Sequence, residues 1–417
     1  MRILRCLCVL AVLILMTAAA FAQQYKVIYD FGSGGSSDAY GPYGSIAFDS
    51  SGNLYGTAEG GGAAQRGAIF QLSPAGGSWR ESVLYSFCLG GEPCSDGTSP
   101  FSGVILDTSG NLYGSTYQGG GGTCPDTCGL VFELSHPSAP SGAWTETVLW
   151  QFSGGEDGCS PDGPLVMDGL GNLYGTAEAC GPYGNGTVFE LSPPPVAGGA
   201  WTESTLYGFC SGGSDPFCKD GSGPIEGVIF DRDGNLYGET KAGGKSNNAG
   251  VIYQLSPPTG TGAWKQTAIA QANLNDGFPA MGGLTFDEAG NLFGALAIGA
   301  NDDQGAMFRL RPGLNGKWSQ SEVVLTDGVY PLGRVLFDDG TLYGVTQFGG
   351  GPNLGTLFKI HGPSETVLYN FCSQRQCADG SIPSGPPARH DGKIYGLTVQ
   401  GGAPGGYGGG VVYEVTP

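Results

Sequence analysis

The chain has 417 residues, 79 of them glycine and 27 proline, with 18 basic against 37 acidic side chains. Removing a leader that contains Arg2 and Arg5 leaves a net charge of about −21, which disfavours nucleic acid and anionic membrane surfaces as partners. Glycine far above the usual ~7 % brings the composition close to that of disordered chains, yet regularly spaced apolar runs between Gly, Pro and Asp clusters read as short strands and tight turns.

Arg2 and Arg5 precede the apolar run Cys6 to Met16, and Ala20-Phe21-Ala22 stands before Gln23. This pattern predicts a signal peptide over residues 1–22 and an exported mature chain, 23–417, folding as one domain. Cys6 and Cys8 lack a small-residue motif for lipid attachment. No later stretch approaches the ~20 apolar residues of a membrane span.

From there the sequence repeats. Asn-Leu-Tyr-Gly stands at 53–56, 111–114, 172–175 and 235–238, then varies to Asn291-Leu-Phe-Gly294, Thr341-Leu-Tyr-Gly344 and Lys393-Ile-Tyr-Gly396. The aromatic positions 55, 113, 174, 237, 293, 343 and 395 are 58, 61, 63, 56, 50 and 52 residues apart, a period typical of propellers and solenoids. Each unit holds four apolar runs, lettered a to d. In the second they are Gly103 to Asp107, Asn111 to Ser115, Gly129 to Leu134 and Trp144 to Phe152. The a-to-b link carries a Gly, and in the last two units it shrinks to Asp339-Gly340 and Asp391-Gly392, the signal of a two-residue hairpin.

Seven four-stranded antiparallel units predict an all-β, seven-bladed propeller. Phase decides this against a solenoid. Lys26 to Phe31 reads as a strand d with no blade before it, and Val411 to Val415 is a strand c with nothing after it. The first strand should complete the last blade, closing the ring and removing exposed sheet edges.

The units Thr-Val-Leu-Tyr-x-Phe, Asp-Gly-x-x-Pro-x-x-Gly, Gly-Asn-Leu-Tyr-Gly-Thr and Gly-Thr-Val-Phe-Glu-Leu-Ser-Pro resemble the secreted bacterial Gloeo/Verruco-type tandem repeats called GloVer, of the choice-of-anchor family. The resemblance covers residues 26 to 417. It implies an exported protein, often with a C-terminal sorting anchor, and no established activity. The ending in a strand at Pro417 points to release rather than anchoring.

In a propeller the d-to-a and b-to-c loops share one face, and all ten mature cysteines fall there. Cys88 with Cys94, Cys124 with Cys128, Cys210 with Cys218 and Cys372 with Cys377 are neighbours, leaving Cys159 and Cys180. An even count in an exported chain predicts disulfides rather than zinc ligands, since His136, His361 and His390 lie elsewhere.

The d-to-a loops repeat Asp-x-x-x-Pro at Asp38, Asp96, Asp157, Asp220, Asp327 and Asp379, one residue shorter at Asp276. Seven carboxylates are thereby expected around the channel mouth. They offer oxygen ligands suited to calcium, or each folds its own loop by accepting backbone N–H groups. The second reading is preferred, because a residue present in every blade serves what every blade needs.

Function is expected where the repeat breaks. Arg389 and His390 replace an apolar residue and the Asp that ends strand a in other blades, without the partners of a catalytic triad. Just past strand b the loop face carries Glu59, Tyr117, Glu178, Lys241 and Gln347, with Tyr330 nearby. Stacking rings beside hydrogen-bonding groups suit a carbohydrate or a protein ligand. The expectation is a secreted, non-catalytic binding propeller needing no cofactor, with ligand contacts at Tyr117, Glu178, Lys241, Glu59, Gln347 and Tyr330. The alternative is a calcium-dependent enzyme of lactonase or polysaccharide-lyase type working at the channel. The turn face, with Ser192-Pro-Pro-Pro195 and Ser256-Pro-Pro258, is expected to offer little concavity.

Overall fold

Seven antiparallel sheets follow one another along the chain in a computed structural model, each with its strands in the order a-b-c-d. It describes residues 24–417 apart from 33–37, 122–127, 140–141, 197, 214–216, 245–247, 272–277, 281, 301–303 and 403–407. The predicted signal segment, Cys124 and Asp276 lie outside the described residues. Blade 1 is Ala39–Phe48, Leu54–Gly61, Ala68–Ala75 and Ser78–Ser86. Blade 6 is Gly328–Asp338, Thr341–Gly349, Thr356–His361 and Ser364–Asn370.

The ring closes as the phase of the repeat predicts. Gln24–Asp30 pairs antiparallel with Val411–Thr416, Gln24 opposite Thr416 and Asp30 opposite Val411. It thereby becomes strand d of blade 7. Blade 5 is the irregular one. Its inner strand is split into Phe278–Ala280 and Thr285–Phe286, both paired with Leu292–Ala300. That blade carries one extra residue between its Pro279 and Asp287 and a Gly282-Gly283 pair.

Each residue of Asn-Leu-Tyr-Gly has its own physical task. The Leu is buried, as Leu54, Leu112 and Leu173 show. The Gly leaves room for the strand-c ring behind it: a Cβ on Gly175 would stand 2.6 Å from Cζ of the fully buried Phe189. The Asn and Tyr belong to the a-to-b turn. In blade 3, Asp168 accepts the backbone N–H groups of Leu170 (2.8 Å) and Asn172 (2.9 Å), the Asn172 amide (2.8 Å) and the Tyr174 hydroxyl (3.2 Å). The same set recurs at Asp49, Asp107 and Asp231. Blades 6 and 7 replace it with the two-residue turns Asp339-Gly340 and Asp391-Gly392, all four residues at positive φ.

Seven apolar clusters hold the ring, one at each seam between blades. The inner strands meet almost backbone to backbone. A methyl group at Gly44 would lie 2.3 Å from the Phe101 carbonyl oxygen, and one at Gly385 would lie 2.0 Å from that of Gly44. The axial channel is consequently narrow.

Candidate functional site

Five of the seven loop-face aspartates, Asp38, Asp96, Asp157, Asp220 and Asp379, are held by outer-strand partners and not at the channel mouth where the spacing places them. Asp96 accepts the Cys88 N–H (2.9 Å) and the hydroxyl of Tyr85 (2.9 Å) on outer strand Ser78–Ser86. Asp220 takes the Ser211 N–H (3.0 Å) and the Tyr207 hydroxyl (2.8 Å), and Asp379 takes the Ser373 N–H (2.9 Å) and the Tyr369 hydroxyl (2.6 Å). Asp38 and Asp157 do likewise with Gly32 (2.7 Å) and Ser153 (2.8 Å). Because the tyrosine partners sit on outermost strands, these carboxylates lie at the rim of the disc and not at the channel mouth. Each fixes the turn that leaves strand d.

Behind several of them stands a second acid, on strand d of the next blade. Burial and the Asp38 carboxylate push Glu81 up to about 8. Burial, with Asp96 and Asp157 respectively, pushes Glu146 and Glu203 up to about 7.

Nearer the axis, the predicted ligand residues of blades 2, 3 and 4 meet. The Tyr117 hydroxyl donates to Glu178 Oε2 at 2.8 Å, and Lys241 Nζ pairs with Glu178 Oε1. Tyr117 also packs edge-on to Phe101 (5.8 Å), which packs edge-on to Tyr43 (5.7 Å), so an arc of rings runs from blade 1 to this ion pair. Tyr330, edge-on to Phe348 at 6.3 Å, and the half-buried Gln347 stand across the axis in blade 6. Glu59 is separate from the trio. It lines a groove of ≈ 650 Å³ between blades 7, 1 and 2, with Tyr40, Gln65, Arg66, Thr98 and Gln400. Tyr40 is 44 % exposed there.

Beneath the arc lies a group of charges that the sequence reading passed over. Asp162, Glu226 and Tyr43 line an axial cavity of ≈ 30 Å³. Glu226 occupies a left-handed backbone position (φ 60°) where blades 1, 3, 6 and 7 have glycine. Burial, then the charges of Asp162 and Glu239, push it up to about 8 against the pull of Arg334. Glu239 is 1 % exposed and accepts the Gly283 N–H at 2.9 Å, as the hydroxyls of Thr57 and Thr176 accept those of Gly103 and Gly227. Burial pushes Glu239 up to about 7, opposed by Gly283, Gly282 and Arg334. Burial also raises Asp162, opposed by the Gly163 N–H and Lys241. The signal was present in the repeat itself, since Leu-Tyr-Gly-Thr becomes Leu-Tyr-Gly-Glu239 and the glycine before Ser45 becomes Glu226 in blade 4.

These acids do not form a ready metal cage. Among the described residues, the trio of Cys, His, Asp or Glu ligand atoms lying within 4.8 Å of one another is Cys88, Glu92 and Cys94. Two of those three are already joined. Disulfides link Cys88 to Cys94, Cys159 to Cys180, Cys210 to Cys218 and Cys372 to Cys377, and Cys128 is also disulfide-bonded.

At the end of strand a in blade 7, Arg389 pairs with Asp338 of blade 6, and the His390 ring stacks on Phe48 of blade 1 at 4.4 Å. His390 Nε2 lies 3.5 Å from Asp391. The turn face is less flat than expected, because a cavity of ≈ 480 Å³ opens there between blades 5 and 6.

Comparison with known proteins agrees with this architecture. Residues 14–218 match the Gloeobacter/Verrucomicrobia repeat. No curated protein matches the chain in sequence. Among solved structures, an ulvan lyase of a polysaccharide lyase family, determined with a bound saccharide, is similar at 12 % identity and a TM-score of 0.51, covering 93 % of this chain and 94 % of that one. The PQQ-bound aldose sugar dehydrogenase of Streptomyces coelicolor is similar at 14 % identity and a TM-score of 0.46, covering 94 % and 98 %. The lyase likeness shows a shared fold.

Proposed function

With residues 14–218 belonging to the Gloeobacter/Verrucomicrobia repeat family as the premise, we propose that this propeller is an exported binding protein whose loop face holds a carbohydrate. The carrying observation is the ≈ 650 Å³ groove on that face, where the exposed Tyr40 ring stands beside Glu59, Gln65, Arg66 and Gln400. Its size suits a small ligand, and an aromatic plane beside amides and charges is the chemistry that sugar rings and hydroxyls need. The Tyr117–Glu178–Lys241 trio extends the polar surface toward blades 3 and 4. Local disulfides restrain the loops around both and lower the entropy lost when a ligand orders them.

Export rests on the charged and apolar pattern of residues 1–22 and on the cross-links, which persist in oxidising compartments. The calcium-dependent channel enzyme has less support. The axial cavity of ≈ 30 Å³ beside Asp162 and Glu226 is far smaller than the ~300–1,000 Å³ of small-molecule sites.

A glycan array probed with the wild type, and with Tyr40→Ala plus Glu59→Gln, tests the reading. Saturable glycan signals that fall at least tenfold in the double variant support it. An array without signal, or signals unchanged in the variant and in Tyr117→Ala plus Lys241→Ala, would overturn it.

A further inference from the structure

Five of the seven seams between blades follow one pattern on the turn face; blade 7 takes its strand d from Gln24–Asp30 and has no c-to-d turn, and blade 6 has the turn but breaks the pattern. A tryptophan at the start of strand d lies over the strand-b tyrosine of the preceding blade. Trp79 covers Tyr395 (6.3 Å), Trp144 covers Tyr55 (6.2 Å), Trp201 covers Tyr113 (6.5 Å) and Trp318 covers Tyr237 (6.0 Å). Trp264 joins the cluster of Tyr174. Blade 6 has no such residue. Its c-to-d turn is the short Gly362-Pro363, and Pro363 stands two residues before Glu365, as Trp79 stands two before Glu81.

The preceding blade changes at the same seam. Phe293 replaces the tyrosine, so no hydroxyl reaches Asp287. Strand c presents Arg309 where other blades have Gln71, Glu133 and Glu190. The Arg309 guanidinium lies 5.4 Å from the Phe293 ring centre and 3.8 Å from Asp287, and its Nε is buried without a hydrogen-bond partner. The place of the missing indole is the ≈ 480 Å³ cavity, lined by Phe293, Met307, Phe337 and Leu342 together with Arg309 and Arg311.

We propose that this seam is a second binding site, on the turn face, for a small planar aromatic molecule bearing a carboxylate. Five equivalent seams already accommodate an indole, so the walls have the shape for an aromatic ring. The cavity falls within the usual ~300–1,000 Å³ of small-molecule pockets. Two guanidinium groups face one carboxylate, Asp287, so the lining carries excess positive charge. A guanidinium can hold an incoming carboxylate through paired N–H···O bonds. The site is independent of the loop-face groove and stands or falls without it.

Titration of the full-length protein with indole-3-propionate, followed by calorimetry, tests the proposal. Saturable binding is expected, about tenfold weaker for indole, which lacks the carboxylate. Arg309→Met should cost a similar factor. Pro363→Trp should abolish binding and raise Tm, because the chain then supplies its own ring. If Pro363→Trp lowers Tm instead, the seat is not indole-shaped and the proposal fails. It also fails if indole-3-propionate does not bind saturably, or binds Arg309→Met as tightly as the wild type.

Discussion

The turn face and the loop face each repeat an aspartate that fixes a turn, yet the acids that depart from the ordinary carboxylate range do so in opposite directions on the two faces. On the turn face, Asp49 and Asp168 are pushed up by burial but held below the usual carboxylate range by bonds from the following Asn, Tyr and backbone N–H groups. On the loop face, the aspartates share the rim with glutamates of the next blade, and Glu81, Glu146 and Glu203 are pushed up. Donors supplied within one turn stabilise a charge, whereas burial, and then a second acid across a seam, oppose it. The turn face is thus a local device repeated, and the loop face depends on how neighbouring blades meet.

The hardest break of that comparison removes a seam altogether. Deleting residues 23–32 takes away Phe31 and Ile28, both buried, and the Tyr25 ring that stacks on Tyr369 at 3.6 Å. It also exposes the edge of Val411–Thr416. Loss of the cooperative thermal transition is expected, and an unchanged melting curve would mean that the closure strand is dispensable.

Next in size is the covalent bracing of the loop face. Cys159 and Cys180 tie the two loops of blade 3 across a separation of 21 residues, and a loop of that length constrains the unfolded chain by about 3 kcal/mol. The Cys159→Ser plus Cys180→Ser variant should lose roughly this much in chemical denaturation. Thiol titration of the denatured, unreduced mature protein should find no free thiol.

On the turn face, Asp168→Ala removes an acceptor from four donors and should cost about 2 kcal/mol. Asp168→Asn should cost less, since it keeps one acceptor oxygen. Equal loss in the two variants, measured by urea denaturation, would show that the charge and not the acceptor geometry holds the turn.

Much of this was legible in the sequence because repetition exposes what each blade needs. The seven copies of the Leu-Tyr-Gly core and its two variants predicted the blades, the unpaired strand at Lys26 to Phe31 predicted closure, cysteine proximity matched the cross-links seen at Cys88, Cys210 and Cys372, and the two cysteines left over, Cys159 and Cys180, are joined to each other. Tyr117, Glu178 and Lys241, expected together from adjacent blades just past strand b, touch one another. Three things were not legible. Asp96 and its equivalents read as a channel ring because sequence gives their loop but not the radius at which they sit. Glu226 and Glu239 were missed because strand interiors look apolar until the copies are compared position by position. The blade 5 to 6 cavity depends on an absence, a tryptophan missing from Gly362-Pro363, which no motif announces.

The smallest expected effect sharpens the contrast between the faces through pH. Glu81, at about 8 in the folded chain, and Glu146 and Glu203, at about 7, all lie above the ~4.5 of an exposed glutamate. The folded protein therefore holds protons that the unfolded chain has released over this interval, so stability contributed at pH 4.5 to 5 is lost as the pH rises toward 8. Glu226, at about 8, and Glu239, at about 7, act in the same direction from the axis. Asp49 and Asp168 act in the opposite sense, and only below the ordinary carboxylate range, where protonating them forfeits their turns. Tm should accordingly be higher near pH 5.5 than near pH 8.5. The triple variant Glu81→Gln, Glu146→Gln, Glu203→Gln should narrow that difference, because an amide neither charges nor repels the neighbouring aspartates. Asp168→Asn should leave the difference between pH 5.5 and 8.5 unaltered while removing part of the loss of stability below pH 4. A triple variant whose Tm still falls by the wild-type amount between pH 5.5 and 8.5 would move the titrating groups from the rim to the axis.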